Sequence, residues 1–143
     1  MIPGYQISTD RSAMDIAAIH SFLTGSYWAK GVPKDTVSKS IDHSLCFGIF
    51  TSAQEQVGFA RAVTDSATFA YLADVYVLEP HRGKGLSKWL MQCVMDHPQL
   101  QGLRRIVLAT KDAHGLYRQF GFSELANPQS LMELWAPDIY AKA

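Results

Sequence analysis

Apolar and polar positions along this chain alternate in two rhythms, one helical and one extended. Tyr5 to Ser8 reads as a short strand. Thr9 and Asp10 follow as cap-type residues, and Ser12 with Asp15 resembles a capping box. Ile16, Ile19, Phe22 and Leu23 then recur at helical spacing, so a first helix is expected over residues 11–24, ending at Gly25. After the loop SYWAKGVP, Pro33 and Asp35 open a second short helix that reaches His43.

The next third of the chain is extended. Leu45–Phe50 and the alternating run Val57–Val63 flank a polar turn and predict a hairpin. Phe69–Leu78 is apolar at nearly every position, the pattern of a central strand covered on both faces. A basic, glycine-containing loop, Pro80–Gly85, leads into Leu86, Trp89, Leu90, Cys93, Val94 and His97, an amphipathic helix ended by Pro98 and Gly102. Gln99–Arg105 reads as a solvated turn and Arg105–Ala109 as a strand. Ala113–Phe120 reads as a short helix closed by Gly121. Phe122–Glu124 and Leu131–Trp135 are expected as two last strands. A hairpin-rich first half followed by a βαβ unit predicts an α/β (α+β) fold, a mixed sheet flanked by helices.

Composition narrows the class. The 143 residues suit one domain spanning 1–143, and 48% hydrophobic against 18% charged residues is a globular balance. Thirteen basic and 13 acidic side chains cancel, so no nucleic-acid partner or anionic membrane surface is expected. Cys46 and Cys93 sit in apolar runs, and the five histidines show no ligand spacing, so no metal site is expected. No apolar run approaches the ~20 residues of a bilayer span, and the N-terminus lacks a signal-peptide pattern, which makes the cytoplasm the default location.

The chemistry concentrates in ADVYVLEPHRGKGLSKWL, residues 73–90. A strand runs through HRGKGLS directly into a helix. Gly83 and Gly85 permit positive φ and close backbone approach. The helix N-terminus adds unpaired N–H groups and partial positive charge, while Arg82 and Lys84 add full charges. Together they make an anion cradle suited to phosphate. The P-loop order is absent because Lys84 precedes Gly85, and the dinucleotide fingerprint fails because Lys88 stands at the third glycine. A capped tight turn without ligand is the plain alternative.

On these residues the chain resembles the GNAT acetyltransferase superfamily, whose signature is Gln/Arg-x-x-Gly-x-Gly/Ala between the fourth strand and third helix. Here it reads Arg82-Gly83-Lys84-Gly85-Leu86-Ser87, with Ser87, still a small residue, in place of the usual Gly or Ala. KDAHGLYRQFGF matches a second family feature through Tyr117, Gly121 and Phe122, with Asp112 where Asn is commoner. The resemblance implies a single domain with a splayed mixed sheet that takes acetyl-CoA as cosubstrate. Backbone groups at Val75, Tyr76 and Val77 would hold the pantetheine arm, residues 82–87 the pyrophosphate, and Asp112 a further polar contact. It implies direct acetyl transfer to the primary amine of a small molecule or peptide, with strand N–H groups facing the thioester oxygen.

Tyr117 is the candidate proton donor to the departing thiolate; its plain reading is a packed aromatic. Asp74, the one carboxylate inside Phe69–Leu78, either takes the amine proton or bonds a donor such as Arg61. Tyr27 and Trp28, with Arg61 and Asp65, are candidates for the acceptor wall. The alternative from another class is a catalytically silent acyl-CoA-binding module. An edge strand at Leu131–Trp135 would also be available to pair two subunits as a homodimer.

Overall fold

The computed structural model describes residues 1–141. Five strands form one sheet in chain order: β1 (Tyr5–Ser8), β2 (Leu45–Thr51), β3 (Gln56–Thr64), β4 (Phe69–Val77) and β5 (Arg105–Leu108). The first four are antiparallel neighbours, and β5 joins β4 in parallel. The parallel pair needs a crossover, supplied by α3 (Leu86–Asp96). Helices α1 (Ile16–Leu23) and α2 (Lys34–Asp42) cover one face, and α3 with α4 (His114–Arg118) covers the other.

The two cores follow the strand pleat. Ile19, Leu23, Val37 and Ile41 pack with Cys46, Phe59 and Tyr76 on the α1/α2 face. Leu86, Leu90, Met91 and Val94 pack with Phe47, Ile49, Leu72 and Val77 on the other. β4 is covered on both faces only from Leu72 onward, because Phe69 and Tyr71 in its first half are exposed although its apolar sequence is near-continuous.

Three expectations need correction. The first helix begins later than its apolar spacing suggested: residues 11–13 form a separate 3-10 turn whose cap is Asp10, and Asp15 caps α1 by accepting from the Ala18 amide at 3.0 Å. Ser12 therefore does not head a capping box. The other two concern the end of the chain: neither Phe122–Glu124 nor Leu131–Trp135 is a strand, and the outer edge of β5 carries no neighbour among the described residues. An apolar alternation shows that a segment can pair; it carries no information about where a distant partner lies.

Candidate functional site

The site grows from an irregularity in β4. Arg61 pairs with Ala73, but Phe59 pairs with Tyr76, so β4 carries one extra residue between those pairs. Asp74 absorbs it in the left-handed region at φ 57. A bulge of this kind shifts the pleat by one. Leu72 points to the α3 face, yet Tyr76 points to the α1/α2 face and Val77 back to α3. A non-glycine residue held at positive φ stores strain, which the surroundings must fix in place.

They do so at Asp74. Its Oδ2 accepts from Arg61 Nε at 2.9 Å and its Oδ1 accepts from Trp28 Nε1 at 2.8 Å. Of the two readings of Asp74, the geometry favours the bonded one. Arg61 in turn donates through Nη1 to Ser44 Oγ at 3.1 Å, so the pair ties β3 and β4 to the residue just before β2.

Beyond Leu72 and Leu108 the β4–β5 pairing stops, while β4 continues to Val77. The Leu78 amide donates to Val57 O at 2.8 Å, so residue 78 faces β3. By alternation Val75 and Val77 turn their amides and carbonyls to the opposite side, into the gap where β5 has diverged. The Tyr76 ring instead lies stacked on Phe22, centroids 3.9 Å apart, with its hydroxyl pKa pushed up chiefly by burial.

Directly after β4 comes the loop with two cations and two glycines. Gly83 and Gly85 have φ 78 and 83, as their spacing predicted. A Cβ built at Gly83 meets nothing within 4 Å, and one at Gly85 meets only Ile2 Cδ1 at 3.7 Å. Backbone conformation, not crowding, therefore demands glycine here, and the space above the loop is open. Gly85 caps α3 without a side-chain hydrogen bond, leaving the first-turn amides of Leu86, Ser87 and Lys88 free. Arg82 is tethered through Nε to Val77 O at 2.8 Å, which fixes its guanidinium beside the loop and frees the terminal nitrogens. The result is the donor set of an anion cradle.

Tyr117 stands on α4, on the same face of the sheet. Its ring is 8% exposed, and its hydroxyl hydrogen-bonds to no described residue although it reaches solvent. Its pKa is raised, mainly by burial and then by Tyr27 and Asp112 nearby, so the phenol stays protonated. Gly121 at φ 90 allows the Phe122 amide to reach Tyr117 O at 3.3 Å, and the Phe122 ring meets Tyr117 edge-on at 6.0 Å. The Tyr-x-x-x-Gly-Phe spacing is thus a helix-end device that fixes the tyrosine's backbone.

Tyr27 and Trp28 form a strap over the gap. Trp28 is bonded to Asp74 on β4, while the Tyr27 hydroxyl accepts from the Lys111 amide, beyond β5, at 3.1 Å. The Lys111 ammonium lies 5.5 Å from the Tyr27 ring centre. Lys111 and the bulge were not singled out in the sequence; no local signal marks a non-glycine residue as left-handed. Asp65 is the candidate that the structure removes from this region. It sits in the β3–β4 turn at the far end of the hairpin, accepting from the amides of Ala67, Thr68 and Phe69. Those bonds and the Thr68 hydroxyl hold its carboxyl below the usual range. Asp112 is exposed in the loop before α4. Among the described residues there is no group of His, Cys, Asp and Glu that could hold a metal, and no helix long and apolar enough to cross a membrane.

An anion cradle at a helix start, a strand edge opened by divergence and a tyrosine on the same face of the sheet make up the candidate site. The sequence profile of the acetyltransferase (GNAT) family matches residues 15–122, and the chain belongs to that family. A crystal structure of a Xanthomonas campestris protein assigned to the GNAT family superposes with TM-score 0.95 at 54% identity, covering 99% of this chain and all of that one. A Gibberella zeae protein named as an acetyltransferase is 33% identical over an alignment 135 residues long that covers 79% of this chain and 75% of that relative. A Clostridium acetobutylicum acetyltransferase crystallised with acetyl-CoA shares the fold at TM-score 0.65 and 13% identity, covering 91% and 94% of the two chains. The protein is thus an acyltransferase by family, with the mixed α/β fold expected from its sequence, built on five strands rather than the seven that its apolar pattern suggested.

Proposed function

We propose that the protein transfers the acetyl group of acetyl-CoA directly to a primary amine, with the cofactor held along β4 and the 82–87 loop. The observation that carries this reading is the strand edge at Val75 and Val77, turned away from β3 where β5 has diverged, leading through Arg82, tethered to the Val77 carbonyl, into the Gly83–Leu86 cradle. Its strand part matches an amide-bearing arm and its helix-end part a pyrophosphate. Acetyl-CoA supplies the activated acetyl group. Arg82 and Lys84 neutralise phosphate charge at the cradle. Tyr117, protonated and unbonded, donates its proton at the hydroxyl to the leaving sulfur. Tyr27 and Trp28 limit access of water and wall the acceptor side, and positioning supplies much of the rate.

Asp74 acts here through Trp28 and Arg61 rather than as the base. Both of its oxygens already accept a charge-assisted or indole hydrogen bond, and water in the gap takes the amine proton. The test is release of free thiol from acetyl-CoA across a panel of amines, read beside thermal stabilisation by CoA. Amine-dependent thiol release supports the reading. CoA stabilisation without release from any amine would instead favour a silent binding module.

A further inference from the structure

One part of the sheet lies bare beside the Tyr27–Trp28 strap. Ala60 and Ala62 of β3, Ala70 and Leu72 of β4, and Ile106 and Leu108 of β5 all pack on the α3 side. By alternation Val63, Phe69, Tyr71, Arg105 and Val107 turn to the opposite face. The register sets Val63, Tyr71 and Val107 in one row across three strands, and Phe69 beside Arg105 in the row before it. Helices α1 and α2 cover Cys46, Phe59 and Tyr76 on this face, yet they leave these rows open: Val63, Phe69 and Tyr71 are exposed. The next row toward the gap is Arg61 with Ala73, followed by Asp74 and its bond to Trp28. Phe69 stands five positions before Asp74, which is about 17 Å along an extended strand. At the far end the exposed Arg105 has no carboxylate partner among the described residues. Asp65, in the adjoining turn, has its carboxylate occupied by three amides and the Thr68 hydroxyl.

We propose that this sheet floor binds the acceptor, and that the acceptor is a short extended peptide. Its N-terminal amine enters the gap, its apolar side chains lie on Tyr71 and Val63, and its carboxylate meets Arg105. The inference rests on the acetyl transfer proposed above and names the substrate class of that reaction. Three observations select this occupant. The floor runs row by row into the candidate site, so a chain lying on it reaches the gap with its end. The floor is as long as about five extended residues, more than a free amino acid or a small amine can cover. Its chemistry is apolar and aromatic along the middle and cationic at the far end, and contiguous exposed apolar surface beside a cleft marks a binding face. A polycationic amine finds no free carboxylate here, because both oxygens of Asp74 are bonded, and it would be repelled by Arg105.

Thiol release from acetyl-CoA with synthetic pentapeptides tests this on the full chain. The probes are Ala-Leu-Ser-Leu-Ser with a free carboxylate, the same peptide with serine at both leucine positions, and the leucine peptide as its C-terminal amide. Replacing the leucines by serine should lower kcat/KM by roughly tenfold, in keeping with one buried leucine side chain. Amidation should lower it by about threefold, as suits an exposed ion pair. Tyr71→Thr keeps a strand-forming residue at an exposed position and should remove the leucine preference. Arg105→Gln should remove the carboxylate preference. Both variants should keep the wild-type circular dichroism and Michaelis constant for acetyl-CoA. Equal rates on the leucine and serine peptides overturn the inference, as does turnover of small amines with none of any peptide; acetyl transfer itself stands in either case. A preference that survives its variant also overturns it, since the peptide then lies on another surface. No thiol release from any amine removes the acetyl-transfer reading and this inference together.

Discussion

Removing the Tyr117 hydroxyl separates its two roles cleanly, because Tyr117→Phe keeps the buried ring, its edge contact with Phe122 and most of its volume. Since the hydroxyl bonds to no described residue, its loss should leave stability nearly unchanged. Turnover should fall by roughly 10²–10⁴-fold, the usual contribution of a positioned general acid, with CoA affinity retained. Steady-state kinetics beside thermal melts check it; parallel loss of stability would return Tyr117 to packing. Burial raises the Tyr117 pKa, so the acid form persists beyond the ordinary tyrosine value of about 10. The rate should accordingly show no Tyr117-dependent fall between neutrality and that pH. Asp74→Asn keeps an oxygen for one donor but loses the charge facing Arg61. If Asp74 positions rather than abstracts, the acidic limb of the pH–rate profile should persist in this variant while the Michaelis constant for the amine rises; disappearance of the limb would make Asp74 the base. The sequence offered both readings because residue type shows that a carboxylate needs a partner. Which partner depends on Trp28, 46 positions away in the chain.

Among the elements, those set by local pattern were legible and those set by distant pairing were not. β1 matches its expected range, and α3 ends within a residue of its reading, because amphipathic period and glycine breaks are written locally. The 82–87 loop was readable for the same reason: two glycines at positive φ and an uncapped helix start follow from order and residue type. The β4 bulge, the Tyr27–Lys111 tie and the fate of residues 122–135 were not, since each depends on a partner far away in sequence. A test at this level concerns β2 and α2. Cys46 is 2% exposed beneath α2, and burial pushes its thiol from 9.0 up to about 11. The folded state then holds its proton where the unfolded chain releases it. That contribution to stability is complete below pH 9 and is lost as pH rises through 11. Melting temperatures should drop across this window, and Cys46→Ala should flatten the drop. The raised pKa of Tyr76 adds a further decline at higher pH.

For the whole molecule, the sheet's divergence is what joins fold to function. Antiparallel strands β1–β4 form one half, the parallel β4–β5 pair holds only from Phe69 to Leu72, and the gap beyond it leads to the cradle at the start of α3. The account's central claim is that this gap and cradle are one cofactor site. Titration calorimetry of acetyl-CoA into the wild type and Gly85→Glu tests it most directly. The substituted side chain would enter open space above the loop with a negative charge, and the left-handed backbone at φ 83 adds strain. Circular dichroism and a thermal melt establish that the variant is folded. One acetyl-CoA should bind per wild-type chain, with no detectable binding to folded Gly85→Glu. Equal affinity in the two proteins would contradict it.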